Sequence, residues 1–285
     1  MHPVVRAAFW MLGSLTSFTG MALGARELSS ELGTFQQLLC RSIIGLPLIG
    51  VLILVHGLHL ARTRHLRIHL VRNASHFCGQ FGWFYGIALI PLAEVFAIEF
   101  TLPLWTTVFA IFMLGERFTR LRSVTLALGF LGVLLILRPG ADVIQPGAVA
   151  VLLGSVAYGF SYTLTKRLAG LDPPLTILFY MTLIQLVIGV APGVYFWVTP
   201  SAHLLPWVLV IGVTAMSAQY CLARALALAD ASVVVPMDFV RLPLISGIGF
   251  AIYGERIDWM MICGALLIFS ASLISVLAEQ RKSAT

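Results

Sequence analysis

Apolar stretches of about 20 residues follow one another along almost the whole chain, separated by short polar segments. A helix of that length spans roughly 30 Å, the thickness of the hydrocarbon core of a membrane. The pattern therefore predicts an all-α integral membrane protein with about ten transmembrane helices. The predicted spans are residues 4–24, 33–55, 70–90, 93–114, 122–138, 146–165, 174–197, 205–228, 231–253 and 258–278.

The composition agrees with this pattern. Of the 285 residues, 59% are hydrophobic and 11% are charged, and the mean hydropathy is +0.97. A soluble domain of that composition could not solvate its own surface. The first apolar run is long and lacks a small-residue cleavage site, so we expect it to remain as the first helix. The four cysteines lie singly in different spans, which predicts no disulfide framework, metal site or cofactor.

The basic residues indicate topology. A net charge of +6 would suit a nucleic-acid partner, but the charges lie where a membrane orientation places them. If the N-terminus is cytoplasmic, most Lys and Arg residues fall on the inside, for example Arg62, Arg64 and Arg67. We therefore expect a lipid bilayer and no nucleic acid as partner, in a multi-pass protein of the bacterial inner (cytoplasmic) membrane with both termini cytoplasmic.

Two short motifs occur twice in the chain. A Leu-Pro-Leu triplet precedes a Gly-Glu-Arg triplet in each half, and an acidic residue precedes each Leu-Pro-Leu triplet. This spacing predicts two five-helix repeats, residues 1–140 and 141–285. Because five is an odd number, the second repeat inserts upside down relative to the first, and inverted repeats suit transport by alternating access. The repeated elements are Glu99 and Asp238, Leu102-Pro103-Leu104 and Leu242-Pro243-Leu244, and Gly115-Glu116-Arg117 and Gly254-Glu255-Arg256.

Individual members of the motifs have distinct predicted roles. Pro103 and Pro243 lie inside predicted spans at matching positions, and they are predicted to form a paired hinge. Glu116 and Glu255 lie at span ends beside an arginine, which favours a capping or interfacial role.

Ionised residues inside the membrane are the main candidates for function. An ion at the bilayer centre costs about 2.5 to 3.5 kcal/mol on insertion scales, so such residues are paired, face water or change protonation. Arg241 follows Asp238 by three residues, so the two can pair on one helix face and serve only the fold. Glu99 has no basic residue three or four places away on its own helix, so its partner must come from another helix, water, a proton or the substrate. Arg41 is interpreted as structural.

Two mechanisms follow if Glu99 and Asp238 face a cavity. They would attract the ammonium or sulfonium group of a substrate, with Arg241 or Arg41 holding its carboxylate. Alternatively, one carboxyl group would carry a proton and couple transport to the proton gradient. The two mechanisms are compatible.

Amide and aromatic residues complete the predicted substrate site. Aromatic faces can stack on a planar ring or hold a cation. The alternative is that these aromatic residues face lipid or pack between helices. The candidates are Gln80 and Trp83 in the third span, Tyr158 and Tyr162 in the sixth, and Gln219 and Tyr220 in the eighth.

Two segments resemble a known family, the EamA-type carriers of the drug/metabolite transporter superfamily. They are FTLPLWTTVFAIFMLGERFTRLRSVTLALGFLGVLLILRPG and PMDFVRLPLISGIGFAIYGERIDWMMICGALLIFSASLISV, which close the two halves. The resemblance implies a central cavity lined by the first, third, fourth, sixth, eighth and ninth helices. The PMDFVRLP segment is similar to the branch that includes S-adenosylmethionine and riboflavin uptake carriers.

The sequence thus predicts a secondary transporter of a small polar, cationic or zwitterionic metabolite, such as S-adenosylmethionine or an amino acid. A proton-coupled exporter is the alternative, and both a monomer and a homodimer stay open. No catalytic residue set and no Gly-x-x-x-x-Gly-Lys-Ser/Thr motif is present, so a membrane enzyme is disfavoured and an ATP-driven pump would need another subunit. A channel is a less natural interpretation of the sequence than a carrier.

Overall fold

The structure is a computed structural model that describes residues 3–115, 120–137, 145–226, 228, 237–238, 240–256 and 258–283. Within these ranges the regular secondary structure is helical throughout, with two short 3-10 turns at Leu58–Ala61 and Ala202–Leu204. The α-helices of this part are α1 Pro3–Leu28, α2 Thr34–His56, α3 Leu66–Leu89, α4 Leu92–Glu99, α5 Leu102–Leu114, α6 Arg120–Leu137, α7 Pro146–Ala169, α8 Pro174–Tyr195, α9 Leu205–Leu226, α10 Arg241–Tyr253 and α11 Trp259–Ser283.

The helices have the length and hydropathy of membrane spans. In lipid no water satisfies the backbone, so a helix, which bonds its own N–H and C=O groups, is the form an apolar span takes. The predicted all-α membrane fold is therefore confirmed. The five stretches that meet both criteria outright are Thr34–His56, Leu92–Met113, Pro146–Ala169, Pro174–Tyr195 and Ala202–Ala225.

The fourth span is interrupted directly after its acidic residue. Helix α4 ends at Glu99, and α5 begins at Leu102 after Phe100 and Thr101. The Thr101 hydroxyl donates a hydrogen bond of 2.7 Å to the Ile98 carbonyl, which satisfies one backbone acceptor at the break. The break therefore places Glu99 at a helix end.

The two repeated prolines lie at helix starts. Pro103 is in the first turn of α5, and Pro243 is the third residue of α10. The first turn of a helix is where a missing N–H costs least, so these prolines begin new helices and do not kink the interior of continuous ones. Their role as hinges stays a prediction.

The two Gly-Glu-Arg motifs begin with the same helix cap. Gly115 ends α5 with φ of +68°, and Gly254 ends α10 with φ of +61°. Each glycine donates its N–H to the carbonyl five residues earlier, Ala110 and Gly249 respectively. Only glycine adopts this left-handed conformation at little cost, which explains its presence at both positions.

The helices pair in a pattern with two-fold character. Helix α3 packs along α7, α1 packs along α9, α2 packs on α8 and α6 packs on α11. Exchanging the two halves turns the α1–α9 pair into the α7–α3 pair and leaves the other two pairs unchanged. The opposite orientation of the two halves, expected from five spans in each, stays a prediction.

The α3–α7 pair is close because glycines face each other. A Cβ atom on Gly82 would overlap the Ala150 carbonyl oxygen, and one on Gly154 would lie 2.9 Å from the Gly79 carbonyl oxygen. Small residues at such positions let two membrane helices approach backbone to backbone.

The loops at one end of α3 and α7 are held by Asp172. Its Oδ2 accepts hydrogen bonds from Thr63 Oγ1 at 2.6 Å and from His69 Nε2 at 2.8 Å. Burial raises the pKa of this carboxyl, but the hydrogen bonds from Thr63 and His69 outweigh burial and leave the pKa below its ordinary value.

We expect Gly82→Ala to destabilise the protein by about 1 to 3 kcal/mol, because the added methyl group pushes against backbone that has no side chain to rotate away. Thermal unfolding of the purified protein in detergent measures the change. The matched control is Gly50→Ala in α2, where an added Cβ meets nothing within 4 Å and stability is retained. Equal loss in both variants would contradict the packing described here.

Candidate functional site

A central cavity of about 260 Å³ lies between the two halves. Residues of α1, α3, the broken fourth span, α7, α9 and the Asp238–Arg241 segment line it, as the resemblance implied. The α2 helix also contributes, through Arg41, so the expected set of lining helices was incomplete.

Arg241 joins the two repeated acids at the cavity wall. Its Nη2 lies 3.3 Å from Glu99 Oε1 and 3.3 Å from Asp238 Oδ2. The second oxygen of Glu99, Oε2, accepts a hydrogen bond of 2.9 Å from the indole N–H of Trp83. The partner of Glu99 is therefore supplied by other helices, and the i,i+3 pair between Asp238 and Arg241 is formed as well.

Aromatic rings surround the same guanidinium. The Arg241 Cζ lies 4.6 Å from the Phe18 ring centroid, 5.0 Å from that of Phe96 and 5.6 Å from that of Phe100. These are cation–π distances, and such contacts are strongest where water is excluded. Arg241 is 4% exposed, so the two acids and the rings replace its hydration.

The ion cluster leaves two polar atoms without a partner. Asp238 Oδ1 and Arg241 Nε are buried and make no hydrogen bond within the part of the chain that is described. Buried polar atoms without a partner are costly, so these two are available to water, a proton or a ligand.

The predicted amide and aromatic residues also reach the cavity, with one exception. Tyr158 lies edge-on to His76, with centroids 5.0 Å apart, and 6.5 Å from the ring of Tyr162. The predicted residues of this kind that line the cavity are Gln80, Trp83, Tyr158, Tyr162 and Gln219.

Tyr220 is the exception. It is 38% exposed, lies outside the cavity and packs edge-on against Trp10 with centroids 5.8 Å apart. One residue step turns a helix by about 100°, so Tyr220 points away from the direction in which Gln219 faces the cavity. The placement of Tyr220 in the binding set is thus corrected.

Two polar residues on the cavity wall were not in the predicted set. His76 Nδ1 lies 2.9 Å from Gln185 Nε2, within hydrogen-bond distance. Arg41 is 7% exposed and its Nε has no hydrogen-bond partner among the described residues. The sequence marks both as polar groups inside spans, but only the packing of α2 and α3 shows that they face the cavity.

A second charged group connects the two halves, and we call Arg26, Leu92 and Glu255 the cap cluster. Glu255 Oε2 accepts a 2.9 Å hydrogen bond from the Leu92 N–H at the start of α4, and Oε1 pairs with Arg26 Nη2 at 2.7 Å. Beside the cap cluster, the Tyr253 hydroxyl donates a 2.7 Å hydrogen bond to Glu27 Oε1. Glu255 has the expected capping role, and the helix that it caps is α4, in the other half. Glu116 lies outside the described residues.

A multi-span helical protein with a cavity between two similar halves has the architecture of a membrane carrier. The model of the EamA-like transporter family matches residues 5–138 and again residues 145–277. The chain belongs to this family, within the drug/metabolite transporter superfamily.

Named relatives share the full length of the chain. The riboflavin transporter of Rhizobium johnstonii is 32% identical, covering 96% of this chain and 89% of that protein. The S-adenosylmethionine uptake transporter of Rickettsia bellii is 23% identical, covering 95% and 94%. The pseudopaline exporter of Pseudomonas aeruginosa is 28% identical, covering 92% and 94%. One solved crystal structure, at 19% identity, covers 96% of this chain and 98% of its own with a TM-score of 0.64, so it shares the fold.

We expect Arg241→Gln to cost about 3 to 5 kcal/mol of stability, because two acids then lose their shared charge partner in a dry environment. The unfolding midpoint in detergent measures it. The matched control is Arg224→Gln, since Arg224 is an exposed arginine on α9 that lies over the Trp10 ring at 5.6 Å. If both variants unfold at the wild-type temperature, the ion cluster does not stabilise the fold.

Proposed function

We propose that the protein is a secondary carrier that moves a zwitterionic or cationic organic metabolite, such as S-adenosylmethionine or an amino acid, by alternating access. It would act in the bacterial inner membrane with both termini cytoplasmic. The observation that carries the proposal is the ion cluster in the cavity, because each half supplies one acid, Glu99 or Asp238, to the single arginine Arg241.

The geometry of the cluster suits exchange of partners. Both contacts of Arg241 run through the same nitrogen, Nη2, and at 3.3 Å both are longer than a strong charge-assisted hydrogen bond. A substrate cation that enters the cavity can replace Arg241 at one of the acids. The two halves are then joined through the substrate, and a relative movement of the halves carries the site with it.

The cavity walls suit a cation attached to a planar ring. Trp83, Tyr158 and Tyr162 present aromatic faces or edges near the acids, and aromatic faces attract sulfonium and ammonium groups as well as heteroaromatic rings. S-adenosylmethionine has a sulfonium, an amino acid group and an adenine ring. A relative named as its uptake transporter supports it as the first compound to test, and the riboflavin relative supports a flavin as the second.

Proton-coupled export is the second candidate. Asp238 Oδ1 is buried without a hydrogen-bond partner within the described residues, so it can take up a proton, which would weaken the ion pair between Asp238 and Arg241. The similarity to a protein named as an exporter supports this direction of transport.

We expect Glu99→Gln and Asp238→Asn to reduce uptake of radiolabelled S-adenosylmethionine into proteoliposomes at least about tenfold, because each removes a charge-assisted contact worth about 1.5 to 3 kcal/mol. Initial rates are measured with and without a pH gradient across the membrane, and riboflavin is run in parallel. A rate that depends on the gradient identifies the proton as coupling ion.

Two control variants lie outside the cavity. Glu31→Gln removes a carboxylate between α1 and α2, where the backbone N–H of Ser201 lowers the pKa of Glu31 and keeps it ionised. Tyr220→Phe removes a hydroxyl from an exposed residue of α9 that does not line the cavity. Both should transport at the wild-type rate. Wild-type transport by Glu99→Gln and Asp238→Asn would refute the assignment of the cluster to the substrate.

A further inference from the structure

Arg41 is a buried cation on the cavity wall for which the described part of the chain provides no anion. It is 7% exposed, its Nε makes no hydrogen bond, and no carboxylate oxygen within the described residues lies within 4.0 Å of its guanidinium. A guanidinium in such a place has lost most of its hydration, and no carboxylate in the described part of the chain compensates for the loss.

The other two buried arginines among the described residues, Arg241 and Arg72, have protein partners that replace their lost hydration. Arg241 has two acids and three aromatic rings. Arg72, on α3, donates from Nε to Thr165 Oγ1 at 2.9 Å and from Nη1 to Asn73 Oδ1 at 2.6 Å. Arg41 has neither kind of partner, and among the three it is the one that faces the cavity without a protein ligand.

The net charge of the cavity is a second argument for a role of Arg41 in binding. When both acids are ionised, they and Arg241 together carry one net negative charge, which suits a cationic group. Arg41 adds one positive charge elsewhere on the wall and makes the cavity as a whole neutral, which matches a substrate with one group of each sign. Arg241 is less suited to the anionic group, because its positive charge is already shared by two carboxylates, whereas Arg41 has none among the described residues.

We propose that Arg41 binds an anionic group of the substrate, a carboxylate or a phosphate, while the Glu99–Asp238 side of the cavity receives the cationic group. The inference rests on the proposed function and narrows it to substrates that contain such a group. The guanidinium is a planar fork of N–H donors that fits two oxygens of a carboxylate or phosphate at once, which an ammonium group does not. The role is one of specificity, since a compound without the anionic group leaves Arg41 unpartnered.

The test uses two pairs of compounds that differ only in the anionic group. S-adenosylmethionine is compared with its decarboxylated form, and adenosine 5′-monophosphate with adenosine. Dissociation constants are measured by isothermal titration calorimetry on the full-length protein in detergent, for the wild type, Arg41→Gln, Arg41→Lys and the exposed control Arg224→Gln.

We expect the wild type to prefer the anionic member of at least one pair by about tenfold or more, and Arg41→Gln to abolish that preference by weakening the anionic member alone. The pair that responds identifies carboxylate or phosphate. Arg224→Gln should keep the wild-type preference. If Arg41→Gln does not fold, Arg41→Lys provides the measurement, because loss of the fork reduces the preference while the charge is retained.

Three results would overturn the inference. Equal affinity of the wild type for both members of each pair shows that no anionic group is recognised. Equal weakening of both members in Arg41→Gln, or an unchanged preference in both Arg41 variants, shows that Arg41 does not bind the anionic group. In these cases binding of S-adenosylmethionine that still depends on Glu99 leaves the proposed function standing. Absence of any binding by the wild type refutes both proposals together.

Discussion

The rest of the structure depends on the placement of one guanidinium in a membrane interior. Arg241 cannot lie between apolar helices without compensation, and two acids from opposite halves of the chain provide it together with the surrounding rings. The halves must therefore approach each other at this point, and the cavity forms around it. The stabilising contact and the candidate binding site are then the same group of atoms, so a change of substrate occupancy changes what holds the halves together.

The fourth span is divided next to this ion cluster. The backbone at the division stays close to helical, since the Phe100 N–H still bonds to the Phe96 carbonyl and the Thr101 N–H to the Ile98 carbonyl. Ending α4 at Glu99 and beginning α5 at Leu102 places the carboxylate at a helix end, within reach of Trp83 and Arg241. Irregular backbone is tolerated at membrane depth where it is buried in protein or lines a cavity, and both conditions hold here.

The sequence predicted the membrane class, the repeated motifs and most of the residues that line the cavity, because apolar length and isolated charges are local signals. It placed Pro103 inside a span, and the stretch Leu92–Met113 agrees, but it did not predict that a second helix begins there, since periodicity cannot distinguish one bent helix from two short ones. Tyr220 was misplaced because the side of α9 that faces the cavity depends on its packing against α1. Arg41 was interpreted as structural for the same reason: whether a buried charge has a partner is a property of the neighbouring helices.

The cap cluster has a consequence for how the chain is divided. The first backbone N–H of α4 is satisfied by Glu255, which lies more than a hundred residues later, and Arg26 depends on the same carboxylate. A helix start needs an acceptor for its first N–H groups. A polypeptide cut between the halves would therefore yield two fragments that are each incomplete, the first lacking an acceptor for a helix start and the second retaining a carboxylate with no cation. The duplicated halves resemble each other in sequence, but they are not independent folding units.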